Sequence, residues 1–150
     1  MITEEEFFQR QPLAIFGVST RRKNFAAYAY NELIKVGINA YPINPKGGFY
    51  GKCKIFASLN ELPEPARAAV ILTKGEGAIA AIKECSESTV EWIWLQEGSD
   101  TEETRKLSDD LGLKRLNGSC ILLRKGRFPH SLHRFFHDLF KRKSGEGNER

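Results

Sequence analysis

Leu13-Ala14-Ile15-Phe16-Gly17-Val18-Ser19-Thr20, followed at once by Arg21-Arg22-Lys23, is the stretch whose reading decides the fold. Its first half is a continuous apolar run, the pattern of a strand buried on both faces. A lone glycine and two hydroxyl residues break the run, and three cations follow. An alanine-rich helical pattern then extends from Phe25 to Val36 and stops at Gly37. A strand, a turn of small residues and a helix N-terminus together make an anion site in open α/β sheets. The turn is therefore expected to hold the phosphates of a nucleotide-like ligand.

The pattern repeats outward from there. The first strand is expected over 12–18, and Ala26, Ala29, Tyr30, Leu33 and Ile34 share one face of the helix after it. A second strand over 38–43 closes on Asn44-Pro45-Lys46-Gly47-Gly48, with Pro42 an awkward guest because it removes a ladder donor. The stretch 46–66 is rich in Gly and Pro and reads as loop, with room for one short helix at 58–62. Ala68-Ala69-Val70-Ile71-Leu72 is a third strand, ending at Thr73-Lys74-Gly75-Glu76-Gly77 and a helix that carries Ala78, Ile79, Ile82 and Cys85 on one face. A fourth strand, Glu91-Trp92-Ile93-Trp94-Leu95, stops at Gln96-Glu97-Gly98. The alternation of Trp92 and Trp94 places both on one face, as core or helix contacts.

Ser99-Asp100-Thr101-Glu102 has the spacing of a capping box and predicts another helix, ended by Gly112. That helix is thinly apolar beyond Leu107 and Leu111, so one side of it should face water. A fifth strand follows near 113–116, with 119–123 continuing extended. The lead-in, 1–11, reads as polar with a helical turn around Phe7 and Phe8. Strands alternating with helices at short, even intervals predict an α/β fold: a Rossmann-like open parallel sheet of about five strands flanked by helices. Leu132, Phe135, Phe136, Leu139 and Phe140 add an amphipathic C-terminal helix over 129–143, before a frayed tail over 144–150. The whole chain, 1–150, is expected to be a single domain with its core at 12–123.

Composition narrows the function classes. With 41% hydrophobic and 28% charged residues the chain is globular. A net charge of +4 suits an anionic small molecule and falls short of the clustered basicity of a nucleic-acid binder. Cys53, Cys85 and Cys120 are odd in number and form neither a CxxC pair nor a zinc pattern, which favours a reduced, cytoplasmic setting. The acidic start is unlike a secretory signal, and nothing approaches the ~20 apolar residues of a membrane span.

The chemistry gathers at the strand ends, where open parallel sheets place their ligands. They supply Gly17-Val18-Ser19-Thr20 with Arg22 and Lys23, then Asn44-Pro45-Lys46, Thr73-Lys74 and Gln96-Glu97-Gly98. Small residues permit close backbone approach, hydroxyls and amides orient, and cations meet anionic oxygens. That edge carries no histidine, aspartate or cysteine, so binding is expected rather than turnover. A dinucleotide fingerprint would require G-x-G-x-x-G and an acid after the second strand. Here one glycine is followed by Val-Ser-Thr-Arg-Arg, and Asn44-Pro45-Lys46 stands in place of the acid. Both departures point from NAD toward a ligand with an extra phosphate, such as NADP or coenzyme A.

Gly17-Val18-Ser19 with Asn24-Phe25, Tyr41-Pro42-Ile43-Asn44-Pro45-Lys46, and Trp94-Leu95-Gln96-Glu97-Gly98 resemble the small stand-alone CoA-binding domain family. That family shares its fold with the CoA-binding domain of the succinyl-CoA synthetase α subunit. Gly112 and Cys120 fall where it tends to have a glycine and an RC-like turn. The resemblance covers 12–123 and implies a Rossmann-like domain taking CoA or an acyl-CoA across the strand ends. It implies phosphates beside Ser19, Thr20, Arg22 and Lys23, the adenosine end beside Pro45 and Lys46, and the rest of the cleft along Thr73, Gln96 and Glu97. The alternatives are an enzyme using NADP or another nucleotide, and an interaction module with a vestigial cleft.

The remaining features have plainer readings. Cys120 is expected to be a buried cysteine rather than a redox thiol, since no neighbour in sequence would lower its pKa. His130, His133 and His137 share a helix face but lack a companion acid, so no metal is expected. The cations from Arg124 to Lys143 read as the polar face of a docked helix, without nucleic acid or membrane as partner. The Phe-rich stripe is expected to cover the sheet edge in its own chain, with a homodimer through it as the alternative.

Overall fold

In the computed structural model, residues 4–20, 25–96 and 98–116 are described. The readings placed on Arg22, Lys23, Glu97, the extended 119–123 stretch, Cys120, the histidine face, the C-terminal helix and the tail lie outside the described residues.

The four residues of Leu13–Phe16 (β1) are all withdrawn from water, as expected of a strand paired on both edges and covered on both faces. The chain around β1 runs α1 (Glu4–Phe8), β1, α2 (Phe25–Lys35), β2 (Ala40–Ile43), β3 (Phe49–Tyr50), β4 (Cys53–Lys54), a 3₁₀ turn at Leu59–Glu61, β5 (Ala68–Ile71), α3 (Glu76–Ser86), β6 (Trp92–Leu95), α4 (Glu102–Asp110) and β7 (Lys114–Leu116). The main sheet has five strands in the order β2-β1-β5-β6-β7, and every neighbouring pair is parallel. This is the α/β, Rossmann-like sheet that the alternation of strands and helices predicts. In chain order of the parallel strands alone the arrangement is 2-1-3-4-5, which puts the topological switch at β1.

Strand alternation divides the core between two faces. Ala14, Phe16, Ala69, Ile71, Ile93 and Leu95 meet Ala78, Ala81, Ile82 and Cys85 of α3 on one face. Leu13, Ile15, Val70 and Trp94 point the other way. On that side Phe7 of α1 is 0% exposed and sets its ring 5.5 Å from the Trp94 ring, edge to face. The lead-in is thus a core element as well as a helical turn. Trp92, half-buried, lies under Lys114 Nζ at 4.6 Å and Arg10 at 5.9 Å.

Pro42 costs the sheet nothing. β2 is at the end of the sheet, and the Pro42 carbonyl points outward to accept from Phe56 N–H at 2.9 Å. Its missing donor therefore faces away from β1, the placement an end strand tolerates. α2 stops where Gly37, at φ 90°, donates to Ile34 O while Ile38 donates to Leu33 O, both at 3.0 Å. That is the Schellman pattern, which needs a residue at positive φ.

Two expectations need correction. The stretch 46–66 is not all loop: Phe49–Tyr50 and Cys53–Lys54 pair antiparallel across a turn with Gly51 at φ 62°. Two-residue strands are too short to show a period of two. The capping box is not at Ser99 but at Thr101, whose hydroxyl accepts from Thr104 N–H at 3.1 Å while Thr104 Oγ1 accepts from Thr101 N–H at 2.9 Å. Ser99 Oγ instead donates to Thr73 O. Inside α4, Thr104 and Ser108 are buried and donate to backbone carbonyls at 2.6 and 2.7 Å, so polar residues occupy the inner face where apolar ones were sought.

Candidate functional site

β1 hands the chain to Gly17 at the switch point, between the ends of β2 and β5. Gly17 N–H donates to Ile43 O at 3.0 Å, and Phe16 O accepts from Leu72 N–H at 3.1 Å. Gly17 holds φ at 110°, and a Cβ there would stand 3.3 Å from both Leu72 C and Thr73 N. The absent side chain lets the β1 and β5 ends pack backbone to backbone at the mouth of the crevice. Val18 is fully buried beneath the turn, Ser19 is half-buried and Thr20 is exposed. The loop after β2 folds over Thr20, for a Cβ on Gly48 would be 2.7 Å from Thr20 Cγ2.

Asn44 shapes that loop from within. Its Oδ1 accepts from Lys46 N–H at 3.0 Å and its carbonyl accepts from Gly47 N–H at 2.8 Å, an Asx turn that leaves Pro45 and Lys46 exposed. After β5, Thr73 presses Oγ1 against Gly77 in the first turn of α3, too close for any Cβ at Gly77. Lys74 is exposed and lays its aliphatic stem over Gly98, with Cε 2.7 Å from where a Cβ would be. Gln96 is buried, donates its N–H to Ile71 O at 3.2 Å, and accepts at its carbonyl from Ser99 and Asp100 N–H.

Four of the sequence-predicted residues, Gly17, Asn44, Pro45 and Thr73, line one slot of about 100 Å³ at the carboxyl ends of β1, β2 and β5. Val18, Ser19, Thr20 and Lys46 belong to the turns beside it and do not line it; Lys74, Gln96 and Gly98 form a separate cluster at the ends of β5 and β6. The opposite wall was not anticipated. Gly77, Ala80, Ala81 and Glu84 of α3 line the slot, and their i, i+3, i+4, i+7 spacing puts them on one helical stripe. That spacing was the available signal, but glycine and alanine add little hydrophobicity beside the larger side chains of the neighbouring face. Ile79, expected among those core residues, is outside the core cluster that Ala78, Ala81, Ile82 and Cys85 form.

Glu84 is half-buried, and its Oε2 accepts from Leu59 N–H at 2.6 Å, so the carboxylate also holds the 3₁₀ turn against α3. Its neighbour Cys85 turns into the core, and burial, helped by the Glu84 charge, pushes the thiol well above its ordinary pKa. A thiol so buried stays protonated and is a poor nucleophile. The walls thus offer the apolar side chains of Phe16 and Ile43, small residues, a proline, one amide, one hydroxyl and one carboxylate, a set that can enclose and orient a narrow, largely apolar group. Among the described residues no group of three or more His, Cys, Asp or Glu could hold a metal ion, and no helix is long and apolar enough to cross a membrane.

No curated protein matches the chain. Solved structures with this fold include a hypothetical protein from Pyrococcus horikoshii OT3, at TM-score 0.69 and 20% identity over 80% of this chain and 87% of that one. A conserved hypothetical protein from Pyrococcus furiosus gives TM-score 0.65 and 24% identity over 73% and 94% of the two chains. A dinucleotide-forming acetyl-coenzyme A synthetase from Ca. Korarchaeum cryptofilum gives 0.62 and 19% over 77% of this chain and 27% of that one. At these identities the likeness is one of fold. The CoA binding domain family matches residues 11–125, spanning β1 to β7, and the chain belongs to that family.

Proposed function

We propose that the chain binds coenzyme A or an acyl-CoA without transforming it, across the carboxyl ends of its parallel strands. Family membership supports CoA as the ligand. The observation that carries the placement is the meeting of Gly17 and Thr73 backbones at the mouth of a slot whose other wall is the small-residue stripe of α3. In this reading the pyrophosphate lies over Gly17-Val18-Ser19-Thr20, with Arg22 and Lys23 close by. The adenosine end lies at Asn44-Pro45, where Lys46 meets the ribose phosphate. The remainder passes along Thr73, Lys74 and the Gln96-Glu97-Gly98 turn.

Binding without turnover is favoured by what lines the slot. Its one carboxylate is engaged with Leu59 N–H, and neither a histidine nor a thiol joins it among the described lining residues. General acid–base chemistry needs a group within hydrogen-bond reach of the proton it moves. Calorimetric and thermal-shift titration with CoA, acetyl-CoA, NAD and NADP tests the proposal. CoA or acetyl-CoA at 100-fold its dissociation constant should add about 2.7 kcal/mol of stability. A shift with NADP and none with CoA at millimolar concentration would refute it.

A further inference from the structure

We propose that the hydrogen bond between Tyr30 and Cys53 pre-organises the Asn44–Gly48 loop for its ligand, which makes Tyr30 a positioning residue acting through the β3–β4 hairpin. The inference rests on the reading that this loop receives the adenosine end of CoA.

The loop is closed by the chain that returns beside it. Asn44 N–H donates to Phe56 O at 2.9 Å, and Ile55 N–H donates to Gly48 O at 2.8 Å. Ile55 and Phe56 directly follow β4, so whatever fixes β4 also fixes the two bonds that close the loop. The hairpin has little strength of its own. Two residues per strand are marginal without further packing, and Phe49 is left 60% exposed. Its other face is held by α2. Tyr50 and Cys53 are directly opposed, so their side chains share a face of the hairpin. Tyr30 Oη stands 3.0 Å from Cys53 Sγ, and Asn31 Nδ2 reaches Tyr50 Oη at the longer distance of 3.5 Å.

The two ends of the Tyr30–Cys53 bond are unequal. Tyr30 is 8% exposed and belongs to the buried face of α2, whereas Cys53 is half-buried on the hairpin. The Cys53 thiol donates to Lys54 O at 3.7 Å, which leaves the Tyr30 hydroxyl as the donor to sulfur. The helix is therefore the anchor and the hairpin is what it holds. The loop so held also abuts the phosphate turn, where a Cβ on Gly48 would be 2.7 Å from Thr20 Cγ2. Loosening the hairpin would blur the spacing between the two turns that the ligand spans. A ligand that must first order a loop loses affinity to that ordering. The bond cannot add more to affinity than its own net strength, which corresponds to a factor of about two to ten.

The test is a double-mutant cycle on CoA affinity by calorimetric titration, with Tyr30→Phe, Cys53→Ala and the double variant. Each single change should weaken CoA by about two- to tenfold, and the double no further than the larger single, because one bond is lost once. In the unliganded Tyr30→Phe chain, amide exchange over 44–48 should quicken, and saturating CoA should restore wild-type protection. A merely structural hydroxyl would lower the urea midpoint of Tyr30→Phe and leave the CoA affinity of the folded chain unchanged, which would overturn the inference. Single effects that multiply in the double variant, or unaltered exchange over 44–48, would overturn it as well. Failure of the wild type to bind CoA refutes the proposed function itself, and this inference with it.

Discussion

Gly17 concentrates the physics of the site in one residue. Its φ of 110° lies where L side chains carry strain, and a Cβ would press on the Leu72–Thr73 backbone at 3.3 Å, which cannot swing aside as a side chain tip can. Gly17→Ala should therefore cost about 1–3 kcal/mol in urea unfolding and widen the mouth of the slot enough to weaken CoA binding. Ser19 offers the complementary case. It is half-buried on the turn, and Ser19→Asp should fold normally while weakening CoA by about tenfold, because a carboxylate would face the phosphates. Unchanged CoA affinity in Ser19→Asp would remove the turn from the phosphate site. At this scale the sequence showed where the chain punctuates itself, and the strand-end residues were named from it. It did not show the helix wall of Gly77, Ala80, Ala81 and Glu84. Small residues at helical spacing carry no hydrophobic signal of their own.

Elements differ in how openly the chain announces them. The runs that become β1, β5 and β6 are legible because both faces are buried, and Gly37 and Gly112 mark the ends of α2 and α4 through the same paired backbone bonds. The β3–β4 hairpin was missed because two residues per strand cannot display alternation. The capping box was displaced by two residues because Ser99 and Thr101 are equally good caps on paper, and only the tie from Ser99 Oγ to Thr73 O separates them. Thr101→Ala should consequently destabilise the chain by about 0.5–2 kcal/mol with the strand-end cluster intact. Ser99→Ala should loosen the Thr73–Gly77 loop, seen as faster amide exchange there. α1 supplies a further check. Phe7 is fully buried against Trp94, so Phe7→Ala should cost about 3–5 kcal/mol by chemical denaturation. A loss under 1 kcal/mol would mean that the lead-in is dispensable, as its polarity first suggested.

For the whole molecule, one topological fact does most to place function. Order 2-1-3-4-5 sends the chain to opposite sides of β1, and the crevice so opened is where the slot lies. The sequence predicted a parallel sheet but could not order it, since strand order depends on which edges pair and not on any one strand's composition. Charge adds a pH dependence at the β7 edge. Arg115 donates to Asp109 and holds that carboxyl below its ordinary pKa. The pair's stabilisation is present above the unfolded carboxylate pKa of about 4 and is lost as pH falls through the lower folded value. Thermal melts of the wild type and Arg115→Ala should thus differ most near neutral pH and converge in acid. The measurement that bears most directly on the central claim is amide hydrogen exchange of the wild-type chain with and without saturating CoA. Protection is predicted in peptides covering 17–20, 44–48 and 73–77, the three turns at the carboxyl ends of β1, β2 and β5. Protection confined to the opposite end of the sheet, around 59–66 and 88–89, or none at saturation, would contradict it.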